Sequence, residues 1–566
     1  MKIERVDDLP LLIGQLERIG LSKLVNTHFP SHGNWKGLES GKVLVGLLTY
    51  ILSCSDHRLS HVEPWAKGRL HVLGHCLSCS TISPSDFSDD RLGSLLDRLS
   101  DADRWDCFES AVNQSLIRVH HLPVKNQAIR LDAFVAQSFR AEGDLFKMGH
   151  SKQHRSDLPQ LKAMVATLDP LAMPLAVEVV SGERADDGLY IPVIAKVNQS
   201  LDQEGLFYVG DTKLGSLANR TYIHQNGHQY LMPLSKKQCS KETLAAYIRQ
   251  KPSTLHQLFK DESKKELMAE GFEVEHIVTN TEKNLTWSER HLVVHSTAWA
   301  QAQHKKLKER LEKTKAALDQ LFVRKQGKSR PKNIEAVEVK SQQILKKYQT
   351  TPFFQVSVKQ IITQIPVRAY KNRPKRTKEK IDFILEYQLD EQVLENHSQQ
   401  LGWRVYATNV DKTQLSVKQA ILCYRQEYRI EHKFNQLLNK ITALMPIFLK
   451  KENRIVALTK LLLMALKFVS ITQQQVRTKL QNKKQYLKEL FPGNPGRKTN
   501  QPTTEMLLAA FKDISLVIFP KQQDFVVKLV KLKPIQLKIL ELLGFEPQLY
   551  RQLQHISFFI KNFIET

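Results

Sequence analysis

The stretch Asn126–Phe139, NQAIRLDAFVAQSF, alternates apolar and polar side chains. That is the period of a half-buried strand, and it predicts a strand over Gln127–Val135 with Asp132 inside it. Two further apolar runs of strand length follow, LKAMVATLD and MPLAVEVVSG, parted by the turn pair Asp169-Pro170. Asp186–Leu201, DDGLYIPVIAKVNQSL, then has helical spacing with an acidic start, and Gly205–Asp211, GLFYVGD, reads as a short buried strand ending at an acid. Three strands, a helix and a strand predict an α/β unit.

Outward from this unit the pattern changes. Before Pro123 the chain reads as mostly helical: Leu38–Leu52 is an apolar helix, and Asp86 or Asp89 caps another that carries Leu92, Leu95, Leu96 and Leu99. Beyond about residue 240, Gln301–Val323 is a charged helix with Leu307, Leu311, Thr314, Leu318 and Leu321 along one side. HLVVHS and FFQVSVKQIITQI nearby are strand-like. Arg368–Lys380, RAYKNRPKRTKEK, carries seven Lys/Arg and one Glu. It suits either a solvated loop or a loop that contacts phosphates. Gly402–Val410 resumes as a strand and leads into a long helix containing Tyr424–Phe434, YRQEYRIEHKF. There Ile430, Phe434, Leu437, Ile441 and Leu444 share a face and leave Glu431 at its margin, a costly place for a carboxylate unless something offsets it. Lys451–Thr566 reads as helical around a linker, PGNPGRKTNQP, at Pro492–Pro502.

The 566 residues are 42% hydrophobic, ample for several cores and against global disorder. There are 83 Lys+Arg against 58 Asp+Glu, a formal charge of +25, which points to a polyanionic partner such as nucleic acid. No basic, apolar and small-residue series opens the sequence, so no signal peptide is expected. Arg454–Ile471 is apolar but interrupted by Lys460 and Lys467, which favours a buried core helix over a membrane span. A cytoplasmic, nucleoid-associated protein follows as the expectation. His57, His61, His71, His75, Cys76 and Cys79 lie close together, but there is no second CxxC to complete a structural zinc site.

Asp132 lies within the first predicted strand, Asp211 closes the fourth, and Glu431 projects from the later helix. Elements of a mixed sheet can bring such distant residues together. Clustered carboxylates repel one another and call for cations, and oxygen ligands select Mg2+ or Mn2+. Each acid also has an ordinary structural reading: a turn bond for Asp132, a cap for Asp211, a surface pair with Arg425, Arg429 or His432 for Glu431. Spacing alone does not choose these three among the acids.

DFSDDRLGSLLDRL, IRLDAFVAQSF, GHSKQHRSDLPQL, LFYVGDTKL, GWRVYATN, YRQEYRIEHKF and MPIFLKKENRI occur in this order along nearly the whole chain. In them the sequence resembles DDE insertion-sequence transposases of the group marked by a Tyr-Arg-Glu-Lys signature. It looks closest to the subgroup with a helical N-terminal module and a long insertion before the final Glu. The resemblance implies a ribonuclease-H-like mixed-sheet core with Asp132, Asp211 and Glu431 as catalytic and metal-binding triad, holding two Mg2+ or Mn2+ ions. It implies a helical N-terminal module over 1–118, core segments over 119–240 and 401–480, an α+β insertion over 241–400 and a helical C-terminal region over 481–566. The implied partners are double-stranded DNA, as terminal inverted repeats and target, and a second copy of the chain. No membrane is implied.

Tyr424 matches the signature Tyr. The Arg position holds Glu427, which is expected to point elsewhere, and the Lys position holds Leu438, with Arg425 and Lys440 nearby as substitutes for DNA contact. Ala133 and Phe134 stand where small hydroxyl residues usually follow the first Asp. Related enzymes hold a flipped base on a Trp of the insertion, which nominates Trp287 and Trp299. Lys371, Arg373, Lys375 and Arg376 are the candidate phosphate contacts of the basic segment. Two alternatives stay open: a DNA-binding protein derived from a transposase, with impaired catalysis, and a ribonuclease-H-like nuclease without strand transfer.

Overall fold

The computed structural model describes residues 1–31, 35–79, 81–150, 155–253, 255–261, 266–323, 333–367, 375–439, 442–521 and 524–554. The chain forms two compact units, one of Met1–Met232, Asn280–Leu285 and Leu422–Thr566, the other of Pro233–Thr279 and Thr286–Ile421.

The first unit opens with strand β1 (Lys2–Arg5), followed by helices that include Ser40–Cys54, Asp89–Leu99 and Ala102–His120. Next come β2 (Ala128–Gln137), β3 (Gln160–Leu168), β4 (Met173–Ser181), a helix over Tyr190–Leu201, β5 (Phe207–Gly210) and β6 (Gln229–Pro233). Their spatial order is β4-β3-β2-β5-β6. β2, β3 and β4 are antiparallel neighbours, whereas β2, β5 and β6 run parallel. The switch of direction at β2 follows from the connections: a long loop returns the chain antiparallel from β2 to β3, a tight turn joins β3 to β4, and the helix Tyr190–Leu201 carries the chain across to β5. β3 is buried along its whole length, as expected of a strand covered on both faces.

The helix Glu452–Asn482 fills the core of this unit. Its apolar window is long enough to cross a membrane, and 94% of that window is buried inside the fold. Lys467 on this helix is fully buried and donates to Glu109 Oε1 at 2.8 Å and Asn113 Oδ1 at 2.7 Å. Burial pulls the Lys467 ammonium down from its ordinary range, against the opposing pull of Glu109. Arg454, near the start of the same helix, makes a two-pronged pair with Asp97 at 2.9 and 2.6 Å.

The terminal regions are not purely helical. β13 (Ser515–Lys521) and β14 (Asp524–Leu529) form a hairpin, and β1 pairs with β13 to complete a three-stranded sheet. The C-terminal region thus holds a hairpin besides its helices, and the mostly helical N-terminal module adds one short strand. The reason is a period of two in SLVIFPK, where Leu516 and Ile518 are buried and Phe519 is exposed.

The second unit contains β7 (His256–Asp261), β8 (Glu266–Asn280), β9 (Leu285–Ser296) and β12 (Trp403–Thr408) in the order β12-β9-β8-β7. It also holds the helices Thr297–Asp319 and Ile334–Lys347 and a separate two-stranded ribbon, β10 (Phe354–Val367) with β11 (Arg376–Leu389). Leu307, Leu318, Leu345, Phe353 and Phe354 are the buried centre of the helix–ribbon junction. The leucine face of the charged helix thus packs against the base of the ribbon.

Candidate active site

The site is built on β2. Side chains two apart share a face of a strand, so Arg130, Asp132 and Phe134 point the same way. Arg130 is buried, donates through Nε to Asp169 Oδ2 at 2.8 Å and through Nη2 to the Cys423 carbonyl at 2.7 Å. Phe134 meets Phe434 with ring centroids 5.2 Å apart. Asp132 lies between these two anchors, with its own Oδ1 accepting from the Ala133 backbone N–H at 2.7 Å.

The parallel pairing of β2 and β5 ends at Leu131↔Gly210. The next residue on each side is Asp132, in the middle of β2, and Asp211, just past the end of β5, so the two acids occupy adjacent positions on neighbouring strands, which run about 4.8 Å apart. Asp211 Oδ1 accepts from the Tyr190 hydroxyl at 2.6 Å and from the Lys213 backbone N–H at 2.8 Å. Tyr190 is buried, and burial followed by the charges of Asp211 and Asp132 holds its hydroxyl well above the usual tyrosine range. The phenol therefore keeps its proton and is a fixed donor to Asp211.

The glutamates come from the segment that crosses this face. Helix Val417–Tyr424 passes through a short 3-10 turn at Arg425–Glu427 into helix Tyr428–Asn439. Ile430, Phe434 and Leu437 are buried as one face of that helix. Ile441 of the expected stripe lies outside the described residues. Glu431, three residues before Phe434, is exposed, and Glu427 is half-buried. Tyr424 is buried and donates its hydroxyl to the Glu427 carboxylate. Burial, together with the charges of Glu431 and Asp211, raises the Glu427 carboxyl above its ordinary range. The Glu427 carboxyl thus feels the charges of Glu431 and Asp211 while it is held by Tyr424. Lys433 of the same helix turns inward to Gln436 Oε1 at 3.0 Å, and burial lowers its ammonium to about 8.

Carboxylates are the right donors for Mg2+ or Mn2+. The fit is partial: Asp132 and Asp211 adjoin, but among the described residues no three His, Cys, Asp or Glu side chains stand together as metal ligands. The same holds for the histidines and cysteines between His57 and Cys79. His57 instead lines a cavity of about 610 Å³ with Tyr50, Asp56, Arg58, Met445 and Phe448, apart from the four acids.

The predicted DNA contacts are dispersed. Tyr424 is 9% exposed and bonded to Glu427, while Arg425 is exposed. Trp287 is 5% exposed in β9, so it is a core residue and not a stacking platform; this too corrects the expectation. Trp299 is 39% exposed with the Arg404 guanidinium 5.7 Å from its ring centroid. Lys375 is exposed and Arg376 begins β11. Lys371, Arg373 and Lys440 lie outside the described residues.

Sequence reading missed Tyr190 and the Arg130–Asp169 pair. The signal for Arg130 was its place two residues before Asp132 on a strand with a buried face. Tyr190 carried no such signal, because its partner lies across the sheet.

Residues 1–112 match a protein family described as a domain of unknown function, DUF4277. Among solved structures the chain is similar to a piggyBac transposase in a synaptic complex with hairpin DNA. The identity is 10%, the TM-score 0.33, and the match covers 83% of this chain and 76% of that one. A score so low carries no argument about this fold. No curated protein matches the chain.

Proposed function

We propose that the chain is a DDE-type DNA transposase with a ribonuclease-H-like core. It cuts phosphodiester bonds at transposon ends and joins the freed 3′-hydroxyl to target DNA. The observation that carries this reading is the Leu131↔Gly210 register, which sets Asp132, within β2, beside Asp211 at the end of β5. Three features add support: the antiparallel-then-parallel order β4-β3-β2-β5-β6, the helix bearing Glu431 anchored on β2 through Phe434, and the formal charge of +25.

In this reading Mg2+ or Mn2+ ions would be held by Asp132 and Asp211 with Glu431, and would neutralise charge at the scissile phosphate. Tyr190 holds Asp211 in place by its fixed hydrogen bond, and the Arg130–Asp169 pair holds β2 against the start of the glutamate-bearing segment. Two transposon ends must be brought together, which assigns the active species to a homodimer.

The test uses purified full-length protein and a duplex carrying the inverted repeats that flank its reading frame. Wild type should cut and join this duplex with Mg2+, whereas Asp132→Asn and Asp211→Asn should bind it and leave it intact. Mg2+-dependent cleavage retained by Asp211→Ala would refute the assignment.

A second reading is favoured by one observation. Glu427, at the signature Arg position, places another negative charge beside Asp211 and Glu431, where a DNA phosphate would be repelled. A transposase-derived DNA binder without catalysis would bind the same duplex and leave it uncut at every Mg2+ and Mn2+ concentration.

A further inference from the structure

The ribbon of β10 and β11 pairs without interruption from Phe354↔Leu389 to Val367↔Arg376. At its base the two faces differ. On one, Phe354, Val356, Leu385, Tyr387 and Leu389 pack into the helix–ribbon junction. Farther out both are open, and Ile362 and Ile381, paired on the first face, are 55 and 48% exposed. The other face carries the register pairs Lys359↔Ile384, Ile361↔Asp382, Thr363↔Lys380 and Ile365↔Lys378. Ile361, Ile365 and Ile384 are 43, 42 and 44% exposed there, and Lys359, Lys378 and Lys380 are exposed among them. Isoleucines held on a rigid ladder and left in solvent mark a surface that meets a partner.

We propose that this lysine–isoleucine face of the ribbon docks in the major groove of duplex DNA. The inference rests on the DNA-processing reading and deepens it by naming the element that reads the duplex. Two observations commit the occupant. First, a two-stranded ribbon has the width that the major groove admits, and the groove presents thymine methyl groups to apolar side chains at its floor and phosphates to cations at its rim. Second, residues 354–389 carry eight Lys or Arg against three Asp or Glu. That surplus favours a polyanion and opposes close packing of two identical ribbons. Of the acids, Glu386 is paired with Lys359 at 2.7 Å and Asp382 with Lys380, which leaves the face without an unmatched carboxylate at those positions. Ile361, Ile365 and Ile384 are then the groove-floor contacts, and Lys378 is a phosphate contact.

The experiment compares binding of the full chain to the terminal-repeat duplex and to a scrambled duplex of equal length and composition, over a salt series. The triple variant Ile361→Ser, Ile365→Ser, Ile384→Ser should lose at least tenfold in preference for the repeat while its affinity for scrambled DNA holds. Lys378→Gln should weaken both duplexes alike and reduce the slope of log affinity against log salt by about one. Both changes lie on an exposed face, and an unaltered melting temperature verifies folding. An unchanged preference in the triple variant, with wild type binding the repeat, overturns the ribbon assignment and leaves the functional reading standing. Conversion of a dimer to a monomer by the triple variant, with preference retained, also overturns it, in favour of self-association. Wild type that binds neither duplex removes the functional reading and this inference together.

Discussion

Phe134 of β2 and Phe434 of the helix Tyr428–Asn439 touch ring to ring at 5.2 Å, tilted by 53°. That contact anchors the helix that carries Glu431 on β2, the strand that carries Asp132. Phe434→Ala should destabilise the protein by about 3 kcal/mol, the usual cost of emptying a buried aromatic site. Phe434→Leu should retain most of the stability. Denaturant unfolding at neutral pH measures both, and equal stability of the alanine variant and wild type would show that the helix is held by other contacts.

Tyr190 donates to Asp211 at 2.6 Å from a buried position. Tyr190→Phe keeps the ring and removes the donor, leaving the Asp211 carboxylate one hydrogen bond short at a cost of about 1–2 kcal/mol. Strand cleavage of the repeat duplex should fall more than tenfold while DNA affinity stays within twofold. A variant that cuts at the wild-type rate would show that the bond is incidental.

Glu427 has a carboxyl raised by burial and by its acidic neighbours. A carboxyl raised in the folded state adds stability that is fully present below its unfolded value near 4.5 and is lost as pH rises through the folded value. Glu427→Gln should therefore be more stable than wild type at pH 7, with the advantage shrinking toward pH 4. Melting temperatures across that range decide it, and a variant less stable than wild type at pH 7 contradicts the placement.

His71 shows the opposite sign. Its backbone N–H is held by Glu4 Oε2 at 3.1 Å, and its ring is buried with Nε2 unpartnered. Burial lowers the ring from 6.5 to about 4. A depressed histidine costs stability as pH falls from its unfolded value toward its folded one, here on the order of 3 kcal/mol by pH 4. His71→Leu should lose less stability than wild type between pH 7 and pH 4.5, as read by urea midpoints.

Lys467, Glu109 and Asn113 form a buried charged network between the long helix, the N-terminal helices and the sheet. Removing one partner strands the other charge, so Glu109→Ala should cost about 3–5 kcal/mol. The paired change Glu109→Leu with Lys467→Met should cost far less. Chemical unfolding of the two variants separates these outcomes.

The α/β unit was legible because its strands carry a short-range signal: alternation in AIRLDAFV, unbroken apolar character in QLKAMVATL, and a turn between. Asp132 could be placed within the first strand and Asp211 at the end of the fourth for the same reason. Their adjacency could not, since it depends on which strands pair across the sheet, and nothing in either segment states its neighbour. A single helix was expected through Tyr424–Phe434. The 3-10 turn at Arg425–Glu427 interrupts it and changes the angular step per residue, which helical spacing alone does not announce. Trp287 was misjudged because side-chain type says nothing about which face of β9 is covered.

The pairing of Lys2–Arg5 with Ser515–Ile518 sets a timetable for biosynthesis. The strand nearest the start of the sequence leaves the ribosome first, yet its hydrogen-bonding partner emerges some five hundred residues later, about 25–100 s at ordinary elongation rates. For that interval the edge of β1 has no mate, and Glu4, destined for full burial, stays wet. Closure of the first unit therefore waits until residues 515–518 emerge, and a nascent chain stalled before residue 515 is held short of its finished architecture.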